Sequence, residues 1–149
     1  MDTDKQLAAL QSFIGKEFTG SPSPFTHWLK PFIISAERGK LVCRFTVRKE
    51  MTNPIGTLHG GVTAAIIDDV IGATMFSLNE EFFYTTVNNA IDYFATAREN
   101  DLIIAETVII KKGNQIVNAQ CEIWNADKSR LIARGTSNLF KTNIRKDHA

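Results

Sequence analysis

A curved antiparallel sheet wrapped around one apolar helix, with a shorter helix ahead of it, is the α+β architecture that this sequence predicts. Three observations carry the expectation. From Gly60 to about Leu78 the chain leaves hardly any polar face, with Val62, Ile66, Ile67, Val70, Ile71 and Met75 spread around the axis, the pattern of a helix covered on most sides. Four segments rich in Val, Ile, Thr, Phe and Tyr follow, at about 83 to 96, 102 to 111, 115 to 125 and 130 to 141, the composition of strands. The third of them alternates, with Val117, Ala119, Cys121 and Ile123 on one face and Asn118, Gln120 and Glu122 on the other, so one face of the sheet is buried. With one apolar helix available, the economical packing curves the sheet around it.

The remaining elements follow in chain order. Leu7, Leu10, Phe13, Ile14 and Phe18 recur at spacings of three and four and predict an amphipathic N-terminal helix, docked as a lid or flank, that Ser21-Pro22-Ser23-Pro24 ends. Strands are expected at about 31 to 36 and 40 to 48 around a Glu37-Arg38-Gly39-Lys40 turn, and residues 49 to 58 read as loop. Lys112-Gly113-Asn114 and Asp127-Lys128-Ser129 mark hairpin turns between the later strands. The chain has no internal repeat, and a frayed tail is expected from Asn143 to Ala149.

With 149 residues and 44% apolar content, the chain suits a single core. The organisation expected is an N-terminal helix and linker over 1–24, one main domain over 25–142 and a flexible tail over 143–149. A net charge of +1 argues against a broad nucleic-acid surface. Met1-Asp2-Thr3-Asp4-Lys5 resembles no export leader, and no apolar run is long enough to span a membrane, so a soluble, cytoplasmic protein is expected. Cys43 and Cys121 lack metal-ligand spacing and read as core residues.

The chemistry concentrates in Asn53-Pro54-Ile55-Gly56-Thr57-Leu58-His59-Gly60-Gly61, which runs into the apolar helix and its two carboxylates, Asp68 and Asp69. An ionised carboxylate in such a helix costs several kcal/mol to desolvate unless it is paired or opens on a cavity. Neighbouring helical residues point about 100° apart, so the two acids occupy different environments, and the residue types leave open which one faces a site. Gly60 falls where free backbone N–H groups and the helix dipole favour a developing oxyanion, although glycines here would equally serve a tight turn. His59 could donate to a substrate carbonyl, orient a water or satisfy the loop. No nucleophile motif of the Gly-x-Ser-x-Gly kind is present, and His27, His59 and His148 are too scattered to predict a metal site.

The pattern Asn-x-x-Gly-x-x-His-Gly-Gly followed seven residues later by Asp, carried by Asn53, Gly56, His59, Gly60, Gly61 and Asp68, resembles the hotdog-fold acyl-CoA thioesterases of the phenylacetic-acid-pathway (PaaI) type. The resemblance spans roughly residues 30 to 141. It implies hydrolysis of acyl-CoA, with Asp68 as nucleophile or general base and the Gly60 N–H polarising the thioester carbonyl. It gives Asn53 and His59 supporting roles and places Thr86 against the acid or its water. It also implies a homo-oligomer, a dimer or a homotetrameric dimer of dimers, in which Asp68 and Thr86 of one chain face Asn53, His59 and Gly60 of another. Coenzyme A, part of the substrate rather than a cofactor, would lie near Tyr93 and the Lys111, Lys112, Gly113 and Asn114 hairpin, where Asn114 replaces a lysine of some relatives.

Two other classes stay open on the sequence: a non-catalytic acyl-CoA or acyl-carrier binding module, and a hotdog hydratase or dehydratase acting on an enoyl or hydroxyacyl thioester. Phe82, Phe83, Tyr84 and the N-terminal helix could shape an acyl pocket or belong to the core.

Overall fold

The computed structural model describes residues 4–148. Met1–Thr3, Ala149 and the side chain of His148 lie outside the described residues, and with them those parts of the expected leader-free start, tail and histidine set. Helices α1 (Lys5–Gln11) and α2 (Pro24–Leu29) precede strands β1 (Phe32–Glu37) and β2 (Lys40–Thr46). The long helix α3 (Gly60–Phe76) follows, and then β3 (Phe82–Tyr93), β4 (Leu102–Lys112), β5 (Ile116–Asn125) and β6 (Leu131–Arg145). All neighbouring strands run antiparallel in one six-stranded sheet, ordered β1-β2-β4-β5-β6-β3.

The sheet curves around α3 as the pattern predicts. Ile66, Ile67, Val70 and Ile71 are essentially inaccessible, and so are Val117, Ala119, Cys121 and Ile123, the inward residues of β5. Each buried aliphatic side chain of this size contributes roughly 1.5–3 kcal/mol of transfer free energy. At Gly135 the sheet approaches the helix so closely that a Cβ would stand 2.8 Å from Ile67 Cγ2. Cys43 and Cys121 are both free and buried in this core. Burial pushes both thiols well up, that of Cys121 to about 12, and keeps them unreactive.

Three expectations are corrected. The N-terminal helix stops at Gln11 instead of running to the proline stretch. Beyond it the backbone turns onto β1: Gly15, at φ +84, donates its N–H to the Ile33 carbonyl, and Glu17 bridges to Phe32. Phe13 and Phe18 still meet edge to face, their centroids 5.2 Å apart, whereas Ile14 remains 46% exposed. The proline stretch, moreover, starts a helix: Ser23 Oγ accepts from the Thr26 N–H and Pro24 occupies the first turn of α2, the cap and proline placement that favours a helix start. The tail is not frayed from Asn143 either. β6 continues to Arg145, and a short 3-10 turn over Lys146–His148 is tied by the Lys146 N–H to the Glu81 carbonyl. Among the described residues, no helix is long and apolar enough to cross a membrane.

Candidate active site

The loop ahead of α3 is organised by Asn53. Its Oδ1 accepts from the Ile55 and Thr57 N–H groups, and its Nδ2 donates to Thr57 Oγ1 at 2.8 Å. The carboxamide therefore holds its own turn, with Gly56 at φ +80 completing it. Backbone bonds from Leu58 to the Ala97 carbonyl and from His59 to the Met51 carbonyl clamp the loop against its surroundings.

His59 caps α3. Its Nδ1 accepts from the Gly61 N–H at 2.8 Å, so the neutral ring carries its proton on Nε2, and the exposed ring can donate from that atom. The Gly60 N–H meets no acceptor among the described residues, while the Gly60 carbonyl accepts from the Tyr93 hydroxyl at 2.9 Å. The first turn of α3 thus presents a backbone donor at the positive end of a 17-residue helix.

Two turns along, Asp68 and Asp69 part company as their spacing predicts. Asp68 Oδ1 accepts from Thr86 Oγ1 at 2.8 Å and Asn89 Nδ2 at 3.0 Å, both on β3. No donor among the described residues reaches its Oδ2. Asp69 Oδ1 instead accepts from Thr26 Oγ1 of α2 at 2.8 Å. Burial pushes the Asp69 carboxyl up against the pull of that bond, and the Asp68 charge adds to the rise.

Sequence alternation does not reveal Asn89. Strict period two would put Thr86 and Asn88 on one face, but β3 bulges between them, where Thr86 pairs with Leu139 and Asn88 with Asn138. The extra residue restores the face at Asn89, which pairs with Ser137 beside Leu139 on the buried side. The only sequence signal available is a polar run, Thr85-Thr86-Val87-Asn88-Asn89, where a strand facing an apolar helix ought to be greasy.

Asp68 and Asp69 open on a cleft of about 520 Å³ between α3, β3 and the segment ahead of α2, within the size range of small-molecule sites. Gly72, Ala73, Phe76, Phe83 and Tyr84 line it, and Lys146 lies on its wall. Of the aromatics left open between pocket and core, Phe83 and Tyr84 line the cleft, whereas the Phe82 ring stacks beneath Lys141 and Arg145. The N-terminal contribution comes from Ser21–Ser23 and Thr26 rather than from α1.

One chain does not bring all the expected residues together. Gly60 and Asp68 are eight helical residues apart, about 12 Å along the axis, too far for one reacting atom. Tyr93 sits at the α3 N-terminus, across β6 from Ile123, while the Lys111 to Asn114 hairpin ends near Val117. Those two positions on β5 are about 20 Å apart. At the hairpin, Lys112 pairs with Glu80 at 2.7 Å and the Gly113 N–H donates to the Ile116 carbonyl. Lys111 and Asn114 border an open groove with Gln115 and Ile116.

Residues 55–132 match the family model described as the thioesterase superfamily. The chain belongs to this superfamily. It is 30% identical to acyl-coenzyme A thioesterase 13 of Homo sapiens over 103 residues, covering 69% of this chain and 74% of that protein. Thioesterase superfamily member 2 from Mus musculus superposes with a TM-score of 0.72 at 25% identity, over 95% of this chain and 97% of that one. The E. coli PaaI protein from the phenylacetic acid degradation operon shares the hotdog fold, with a TM-score of 0.76 at 20% identity over 83% of this chain and 88% of its own.

Proposed function

We propose that this superfamily member hydrolyses acyl-CoA thioesters in a homo-oligomer, with Asp68 as nucleophile or general base and the Gly60 N–H as oxyanion donor. The observation that carries the reading is the Asp68 carboxylate. Thr86 and Asn89 hold one oxygen, and the other is left toward a cleft of acyl-group size. The similarity to an acyl-coenzyme A thioesterase supports the substrate class.

In the general-base form, Asp68 takes a proton from water as the water oxygen adds to the thioester carbon, and Gly60 of the partner subunit stabilises the oxyanion. Collapse breaks the C–S bond, and the departing thiolate takes a proton. In the nucleophilic form, the carboxylate oxygen itself adds and expels the thiolate, and water then cleaves the mixed anhydride. His59 Nε2 is a second donor toward the carbonyl, and Asn53 acts through the loop it organises rather than on the substrate. Coenzyme A enters as part of the substrate, with Tyr93 and the Lys111 to Asn114 hairpin meeting it from different subunits.

The test is thiol release by the purified protein over a panel of phenylacetyl, benzoyl and straight-chain acyl-CoAs, with Asp68→Asn beside it. Release that depends on Asp68 is the expected result. Binding without release, or addition of water across an enoyl thioester without free thiol, would overturn the hydrolase reading.

A further inference from the structure

The acyl cleft does not end in hydrocarbon. From Asp68 it follows the same face of α3 one turn on to Gly72 and Ala73, then to Phe76 and across to Phe83 on β3. A Cβ at Gly72 would meet nothing within 4 Å, so the helix wall is open at the point where a chain leaving Asp68 would lie. Lys146, from the turn after β6, closes this apolar stretch: its Nζ lies 4.4 Å from the Phe76 ring centroid and 5.9 Å from that of Phe83.

That ammonium is short of partners. Its Nζ donates to Gln6 Oε1 at 2.8 Å, one bond for a group with three donors. No carboxylate among the described residues forms an ion pair with it. The acid that acts on it, Glu80, is itself held by Lys112 at 2.7 Å and by the Tyr84 hydroxyl at 3.4 Å. Burial correspondingly drives the Lys146 ammonium down to about 8. A half-buried cation on two aromatic faces at the end of a cleft is completed by an anion arriving through that cleft.

We propose that Lys146 receives an anionic end of the acyl group, so that the preferred substrates are ω-carboxyacyl thioesters of medium length. This rests on the thioesterase reading above and deepens it. Asp68 and Phe76 are eight helical residues apart, about 12 Å, so a thioester carbon at Asp68 and a carboxylate at Lys146 need a spacer of several methylenes. Asp69 lines the cleft beside Asp68, held by Thr26, and Lys146 is the one cation among the residues that line it.

The experiment compares kcat/KM for octanoyl-CoA and suberyl-CoA, its ω-carboxy counterpart of equal carbon number, in wild type, Lys146→Met and Lys146→Arg, with Asp68→Asn as control. The wild type is expected to favour suberyl-CoA about tenfold, the worth of one charge-assisted hydrogen bond, chiefly through KM. Lys146→Met should bring the ratio to one or below, and Lys146→Arg should restore the preference. A wild-type ratio at or below one overturns the proposal. So does an equal fall of both rates in Lys146→Met, the mark of a purely structural lysine. If Lys146→Met does not fold, the wild-type ratio and Lys146→Arg decide. Absence of Asp68-dependent thiol release from every acyl-CoA is a different failure, because it removes the hydrolase reading itself.

Discussion

Asp68 Oδ1 takes two hydrogen bonds from β3, whereas Asp69 Oδ1 takes one from α2, and the two acids respond differently to removal of their charge. Asp68→Asn keeps the size of the side chain but removes the base or nucleophile of the proposed mechanism. It should cut thiol release by about 10²–10⁴-fold, with unchanged circular dichroism, while Asp69→Asn loses far less. Asp69 carries the opposite signature in stability. Its folded-state pKa lies above the unfolded value because burial penalises the charged form, so its favourable contribution is present at low pH and is lost as pH rises through the folded pKa. Asp69→Asn, which retains an acceptor for Thr26, should therefore raise the urea midpoint at pH 7. That gain should fade as pH falls below about 4. Lys146 runs the other way: its ammonium is pushed from 10.5 down to about 8, so the unfolded chain holds the proton more tightly between those values. Stability should rise over that pH window in wild type and stay flat in Lys146→Met, as read from denaturation midpoints.

Among the elements, the contact between α3 and β6 is the most sharply dimensioned. A methyl at Gly135 would fall 2.8 Å from Ile67 Cγ2 and 3.2 Å from Ile91 Cγ1, neither of which is a mobile side-chain end. Gly135→Ala should cost about 1–3 kcal/mol as an overpacked core, seen as a lower urea midpoint at constant m-value; an unchanged midpoint would mean the helix can move away. The helix and the strands were legible because their periods are long and consistent, as in β5, where every inward residue is apolar and buried. Local exceptions were not. The bulge in β3 places Thr86 and Asn89 on one face at an odd spacing, so alternation pointed away from the second donor to Asp68. α1 lost its last two predicted turns because Gly15 and Glu17 found backbone partners on β1, a tertiary competition that helical periodicity cannot register. The tail held because Lys146 and Gln6, 140 residues apart, bond to each other.

For the whole molecule, the decisive fact is that β3 lies at the edge of the sheet with Thr85 to Ala90 exposed and Val87 63% accessible. A long edge strand whose exposed stretch from Thr85 to Ala90 carries no charge is a template for pairing with another chain. The face behind it carries Asp68's two donors. The motif residues and the acid could be read from the sequence one by one, but their mutual placement could not, because about 12 Å of helix separates Gly60 from Asp68 within a chain; in the proposed mechanism a second copy brings the donor to the acid. Assembly and turnover should therefore fail together. Placing lysines at Val87 and Ala90, both outside the core, adds like charges across any β3-to-β3 pairing while leaving the α3 packing untouched. The doubly substituted chain should sediment as a folded monomer and lose thiol release nearly as completely as Asp68→Asn. Full turnover by such a monomer would require the oxyanion donor to come from Asp68's own chain, which the helix geometry opposes, and would move the assignment from Gly60 to another group.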